Sequence, residues 1–346
     1  MAGPGASVRA TGQIIHSTAD WQDQLRNVVT SIDQLLAMLD LDSEQLGASA
    51  DACRDFTLKV PLAFVRRMTA GNPDDPLLKQ VLASRQELED SAGYGFDPLG
   101  ETGRANPHKG IIHKDRGRVL LIVSGGCAIN CRYCFRRHFP YSDHQNSRQQ
   151  WREALDYIAG EPGITEVILS GGDPLVASDR LLQDLVAQIA AIPQVSRLRV
   201  HSRLPVVLPD RITGGLLDAI SAPGLQTLMV IHCNHANEID DSVGGAIAKL
   251  RDRGITTLNQ AVLLAGINDT ADDLAALSES LFGIGVLPYY LHLLDRVQGA
   301  AHFDVPERTA RRLLAEVSAR LPGYLVPRLV REDAGATAKT ILEPLY

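Results

Sequence analysis

The sequence predicts an α/β fold: a six-unit (β/α) partial barrel behind a helical N-terminal segment. Three observations carry that reading. Short runs rich in Val, Ile and Leu recur from Val119 onward, amphipathic stretches of helical length stand between or after them, and the residues before about Gly110 lack this alternation. With 346 residues, 45% hydrophobic and 22% charged, the chain has the length and composition to bury a globular core.

In chain order, Met1 to Ser17 lacks the basic start and apolar block of a secretory signal and is expected to be a loose tail. A helical pattern runs from Trp21 to Leu39, and a Pro/Gly-rich passage follows from Gly71 to Pro107. Residues 1–110 therefore read as tail, helical subdomain and long connection. Next come apolar runs at Val119–Val123, Val167–Leu169, Leu198–Val200, Leu228–Ile231, Thr256–Leu264 and Val286–Leu294, each read as a buried strand. Leu181, Leu182, Leu185, Val186 and Ile189 share one helix face. Thr270, with Asp273 three positions on, forms a capping box ahead of Leu274, Leu277 and Leu281. A last helix, Glu307 to Arg320, stops at Leu321–Pro322–Gly323.

A closed barrel takes eight units over about 250 residues, more than residues 111–322 supply. A six-unit partial barrel fits better than a flat doubly wound sheet, and pattern alone does not separate the two. In both, functional groups belong at the C-terminal ends of the strands. Residues 323–346 read as a strand, Leu325–Val330, and a small-residue loop, Ala334–Ala338.

A net charge of -7 with scattered carboxylates gives no generic attraction to nucleic acid or anionic membrane, and no apolar stretch is long enough to span a bilayer. Neither partner is expected. Of five cysteines, three fall within eight residues. A disulfide framework would spread an even number along a short secreted chain, so clustered thiols point to a metal site in a reducing compartment, the cytoplasm.

The cluster, Cys127–Ala128–Ile129–Asn130–Cys131–Arg132–Tyr133–Cys134, directly follows the first buried strand. Its C-x3-C-x2-C spacing lets three thiolates each bind one iron of a 4Fe-4S cluster. The fourth iron is left open to the amino and carboxylate groups of S-adenosyl-L-methionine (SAM). Structural zinc wants four ligands in a closed tetrahedron, whereas Cys53 and Cys233 are distant and no Cys/His pair has finger spacing. With Tyr133 before the third cysteine, the segment resembles the radical SAM signature. Ser170–Gly171–Gly172–Asp173–Pro174, after the second strand, has glycines that let backbone approach a ligand. It is similar to the radical SAM motif that meets the methionine amino group. His201–Ser202–Arg203, His232 and Asn259–Gln260 end later strands and converge on the same rim, although each alone is a type usually satisfied within a core.

Larger blocks carry a finer resemblance. Gly125 to Tyr141, Gly71–Asn72–Pro73–Asp74–Asp75–Pro76, His201–Ser202–Arg203–Leu204–Pro205, Pro288–Tyr289–Tyr290–Leu291–His292 and Asp295–Arg296–Val297–Gln298–Gly299–Ala300–Ala301–His302–Phe303 together resemble the lysine 2,3-aminomutase family. They are most similar to its short bacterial branch, which serves β-lysylation of elongation factor P. The likeness covers nearly the whole chain beyond the first dozen residues. It implies a partial (β/α)6 TIM-like barrel of radical SAM type. It also implies an isomerase that uses pyridoxal 5′-phosphate (PLP) and an external electron donor to move the α-amino group of L-lysine to the β-carbon. In this branch the implied product is (R)-β-lysine, which a separate ligase attaches to elongation factor P.

The same resemblance assigns residues. PLP needs a lysine amine for its aldehyde, and Lys339 matches the family's PLP lysine. Arg136 matches the arginine that pairs with the substrate carboxylate, a task suited to a planar fork. For the ε-ammonium, Asp295 matches the first of two acids. Glu332 matches the second, where longer aminomutases have aspartate; neighbouring Asp333 is its rival. Lys114 and Arg118 match the cations for the PLP phosphate, with Arg116 between them as an alternative. His232 and Gln260 match positions near SAM. Longer aminomutases have a glycine run where this chain has Ala334–Gly335–Ala336–Thr337–Ala338, and they carry C-terminal cysteines for a zinc that this chain lacks. Neither that zinc nor tetrameric assembly is carried over. Two other readings stand beside this one. The first is a radical SAM enzyme for another amino acid such as glutamate, against which Asp295 and Glu332 argue. The second is a zinc-stabilised binding protein without catalysis.

Overall fold

A computed structural model describes residues 20–43, 46–103, 105–141 and 148–346; the expected tail, Met1 to Ser17, lies outside them. The strands are β1 (Ile111–Asp115), β2 (Arg118–Ser124), β3 (Glu166–Gly171), β4 (Arg197–Ser202), β5 (Gln226–His232), β6 (Thr256–Val262), β7 (Leu287–His292), β8 (Arg328–Arg331) and β9 (Thr340–Ile341). They form one nine-stranded sheet in the order β1 to β9. Strands β2 to β8 run parallel, while β1 and β9 lie antiparallel at the edges. A doubly wound sheet reverses its strand order at a switch point. Here every strand pairs with its sequence neighbour, so the winding never reverses and the sheet is an open partial barrel.

Crossovers between the parallel strands carry helices, among them Arg148–Gly160, Asp179–Ala190, Asp241–Asp252, Ala271–Gly283 and Glu307–Arg320. Ser178 and Thr270 cap two of these by accepting the Leu181 and Asp273 backbone N–H groups. At Thr270 the reciprocal contact is a hydroxyl donated to Asp273 Oδ2 at 2.6 Å rather than a bond to the cap's own N–H. Leu182, Leu185, Val186 and Ile189 are buried against the sheet, but Leu181 is 42% exposed, one step off the face it was expected to share.

The Trp21–Leu39 pattern resolves into two helices, Trp21–Arg26 and Ile32–Met38. Val29 leaves the helical path to exchange backbone hydrogen bonds with Val60, and Ser31 caps the second helix. Among its described residues, the Pro/Gly-rich passage holds only short turns of helix at Pro76–Lys79 and Arg85–Leu88. Leu35, Phe64 and Leu77 from this N-terminal part are fully buried and continuous with the barrel core of Leu169, Val200 and Ile231. The expected Leu325–Val330 strand begins three residues later, because Gly323–Leu325 forms a turn of 3-10 helix.

Candidate active site

The loop after β2 carries the three cysteines, and the rest of the fold holds it from several sides. Lys59 Nζ donates to the Cys127 carbonyl at 2.6 Å, and the Asn130 and Arg132 N–H groups donate to the carbonyls of Lys59 and Gln80 at 2.9 Å. The Arg132 guanidinium is fully buried against both oxygens of Glu87, at 2.8 and 2.6 Å. Burial, reinforced by the neighbouring sulfurs, pushes the Cys127 thiol well up and Cys134 up to about 11. Arg203 Nη1 reaches Cys131 Sγ at 2.6 Å. Among the described residues no group of three or more Cys, His, Asp or Glu side chains converges on a single ion. Thiols spread along one loop suit a cluster whose irons each take one thiolate, and the donor set fits that group.

At the end of β3 the paired glycines serve this loop directly. Gly171 has φ +123°, and a Cβ there would stand 2.4 Å from the Ser124 carbonyl oxygen; a Cβ on Gly172 would stand 2.5 Å from the Gly126 oxygen. Gly172 and Asp173 donate backbone N–H groups to Ser124 and Gly126 at 2.7 and 2.8 Å. The sequence suggested glycines making room for a ligand; their close neighbour is the protein's own cysteine loop. The Asp173 carboxylate accepts from Ser202 Oγ and from the N–H groups of Leu175, Arg203 and Leu204, tying the ends of β3 and β4 together. Tyr133 is similarly anchored, its hydroxyl 2.6 Å from Arg203 Nη1 and 2.7 Å from Asn234 Nδ2.

Further round the rim, Gln260 Nε2 donates to His232 Nε2 at 2.9 Å, and burial, then nearby Arg203, pushes that imidazole down to about 3. The neutral ring is therefore an acceptor. His292, on β7, is also pushed down to about 3 by burial and by Lys339.

The opposite wall is built by β7, β8 and β9. Strand β9 folds back antiparallel on β8 with Thr340 opposite Arg331, so the residues just inside the loop, Lys339 and Glu332, meet in an ion pair. Tyr290 lies beneath Lys339, its ring centre 5.7 Å from Nζ. Burial would raise the Glu332 carboxyl, but the Lys339 and Lys114 ammoniums bring it down to about 2. At Asp295 burial and then Glu332 outweigh the same two ammoniums and push the carboxyl up to about 7. Asp333 turns instead to Arg331 at 2.8 Å and Thr340 Oγ1 at 2.6 Å.

Between the two walls stands Arg136. Its Nε and Nη2 donate to Glu101 at 2.7 and 3.0 Å, and Lys114 Nζ donates to the same carboxylate at 3.0 Å and to Glu332 at 3.4 Å. Arg118 pairs with Asp115 at 2.7 Å. Glu101 was not among the residues singled out from the sequence; it lies in an unpatterned turn, fixed by Asp97 accepting its N–H at 2.8 Å. The residues assigned above to cluster, SAM, PLP and substrate line one cavity of ≈ 600 Å³, as do Glu101 and Asp333, whereas Arg116, Pro174 and Asn259 do not. An amine, Lys339, with the cations Lys114 and Arg118 in the same cavity, fits an aldehyde-bearing phosphate cofactor.

A family model described as the Radical SAM superfamily matches residues 121–278. The chain is 51% identical to a protein of Escherichia coli (strain K12) named L-lysine 2,3-aminomutase, over 94% of this chain and 95% of that one. A Haemophilus influenzae protein of the same name is 46% identical, over 95% and 97%. One from Clostridium subterminale, also so named, is 34% identical over 95% of this chain and 80% of its own length.

Proposed function

The chain belongs to the lysine 2,3-aminomutase family of radical SAM enzymes, and on that premise we propose that it isomerises L-lysine to (R)-β-lysine. The observation that carries this reading is the single cavity shared by the three cysteines, Arg136, Lys339 and the acids Asp295 and Glu332. When bound, the 4Fe-4S cluster with SAM supplies a carbon radical, and PLP supplies the electrophilic carbon that carries the migrating nitrogen.

The chain's own residues do the rest. Cys127, Cys131 and Cys134 would hold the cluster, with Tyr133, Ser170, Gly171, Gly172, Asp173, His232 and Gln260 around the SAM side. Lys339 would bind PLP, and Lys114 and Arg118 its phosphate. Arg136 would take the substrate carboxylate, and Asp295 and Glu332 its distant ammonium. A guanidinium facing one end of the substrate and two carboxyls facing the other suit an amino acid with a cationic tail and repel glutamate, whose side chain would meet like charge. In division of labour, the described residues before 111 brace the cysteine loop, those of 111–322 form the radical barrel as far as β7, and 323–346 add β8 and carry Lys339.

The similarity of the Asp295–Phe303 block to the short bacterial branch supports a role in β-lysylation, with a separate ligase passing the product to elongation factor P. The free thiols support a cytoplasmic setting, where an external donor would reduce the cluster. No helix among the described residues is long and apolar enough to cross a membrane. The test is anaerobic purification with iron, sulfide and PLP assays, then incubation with L-lysine, SAM and a strong reductant, with chiral analysis of the product. β-Lysine is expected. Unchanged lysine alongside rearrangement of another amino acid would overturn the substrate assignment.

A further inference from the structure

Arg136, the residue assigned to the substrate carboxylate, already holds a carboxylate of the protein. Glu101 Oε2 accepts from Nε at 2.7 Å and Oε1 from Nη2 at 3.0 Å, a two-pronged pair. Both residues are buried, at 3% and 9% exposure, and the Phe135 ring packs 4.8 Å from the guanidinium carbon. A planar guanidinium has two edges that can each grip a carboxylate, Nε–Nη2 and Nη1–Nη2. Glu101 occupies the first. On the second, Nη1 has only long contacts, to Ser170 Oγ at 3.4 Å and the Gly171 carbonyl at 3.5 Å.

Lys114 also donates to Glu101 Oε1 at 3.0 Å, so the carboxylate is gripped from two sides and held in place against Arg136.

Resting on the amino-acid reading above, we propose that Glu101 is a positioning residue for carboxylate recognition. It locks Arg136 by the Nε–Nη2 edge, so that the Nη1–Nη2 edge is presented to the substrate's α-carboxylate. A guanidinium fixed in this way loses little freedom when substrate binds, which is how a preorganised donor gains affinity. The turn that bears Glu101 belongs to the segment before the barrel, so substrate recognition depends on residues outside the strand ends.

The experiment uses the PLP-loaded protein and follows the absorbance of bound PLP during titration with L-lysine and, separately, with L-lysinamide, which lacks the carboxylate charge. Wild type binds lysine the more tightly. Glu101→Gln weakens lysine about tenfold and leaves lysinamide within about twofold, the loss of one charge-assisted contact. In turnover the lysine KM rises about as much while kcat stays within about twofold. Glu101→Asp keeps the charge but cannot span Nε, Nη2 and Lys114 together, and it shows the same selective loss. Equal weakening of both ligands, no weakening of either, or loss of PLP from both variants overturns the proposal. If wild type fails to rearrange lysine, the substrate reading falls while the ratio of acid to amide affinity can still be read. If lysine rearranges and that ratio ignores Glu101, only the positioning role falls.

Discussion

Asp295 and Glu332, the two carboxyls proposed to take the substrate's ammonium, are driven apart by their surroundings. Glu332 has Lys339 and Lys114 beside it and is held near 2, while Asp295, buried and facing Glu332, is pushed up to about 7. An ammonium is attracted by the ionised form of Asp295, which prevails only above that value. Lysine affinity should therefore rise as pH rises through about 7 and then level off. His232 and His292, held near 3, do not titrate in that window. The sign for stability runs the other way. A carboxyl raised in the folded state binds a proton more tightly there than when unfolded, so its contribution is complete below the ordinary carboxylate range and is lost as pH rises through about 7. The check is the lysine dissociation constant of PLP-loaded protein across that range; a pH slope that survives in Asp295→Asn assigns the titration elsewhere. At this scale the cysteines announce themselves by spacing, and Lys339 by family likeness. Glu101 was illegible, because its partners Lys114 and Arg136 lie 13 and 35 residues along the chain and no local pattern links them.

Elements were legible where burial wrote them into composition. Strand β3 is an apolar run buried throughout, whereas β4 and β6 alternate buried residues with half-buried ones such as Arg199, His201 and Gln260 that line the cavity; the Val, Ile and Leu residues of β2 to β7 mark these strands in the sequence. The edge strands were not legible. β1 reads Ile-Ile-His-Lys-Asp, and β9 is two residues long; each is defined by its pairing, which sequence does not display. Yet β9 is what returns Lys339 to Glu332. The Gly171–Gly172 pair shows the converse, a motif visible in sequence whose physical reason is not. At Gly172 an added Cβ would lie 2.5 Å from the Gly126 oxygen and 2.8 Å from its carbon. Backbone cannot yield as a flexible side chain does, so Gly172→Ala should displace the cysteine loop, at a cost of about 1–3 kcal/mol. Iron bound per chain should fall together with the melting temperature. Gly160→Ala, where nothing lies within 4 Å, is the control and should change neither. Full iron loading in Gly172→Ala would mean that the loop tolerates the displacement.

On the scale of the whole molecule, the helical segment and the barrel are joined by polar contacts as well as by a common core. Glu87 pairs with Arg132 at 2.6 Å and with Arg137 at 2.8 Å, both guanidiniums belonging to the cysteine segment. At the far side Trp21 stacks on Arg211, 4.2 Å from its guanidinium carbon. Two parts bound in this way should unfold together, and the chain's two tryptophans can show it. Trp151→Phe leaves Trp21 to report the N-terminal segment, and Trp21→Phe leaves Trp151 on the barrel helix Arg148–Gly160. Their denaturant midpoints should coincide, as cooperative unfolding requires. Glu87→Ala should then lower both midpoints equally. Removing one carboxylate strands two buried guanidiniums without a counter-ion, a loss of about 3–5 kcal/mol. Were the helical segment an independent domain, the Trp21 signal would be lost at lower denaturant, and Glu87→Ala would widen the gap between the probes instead of moving both.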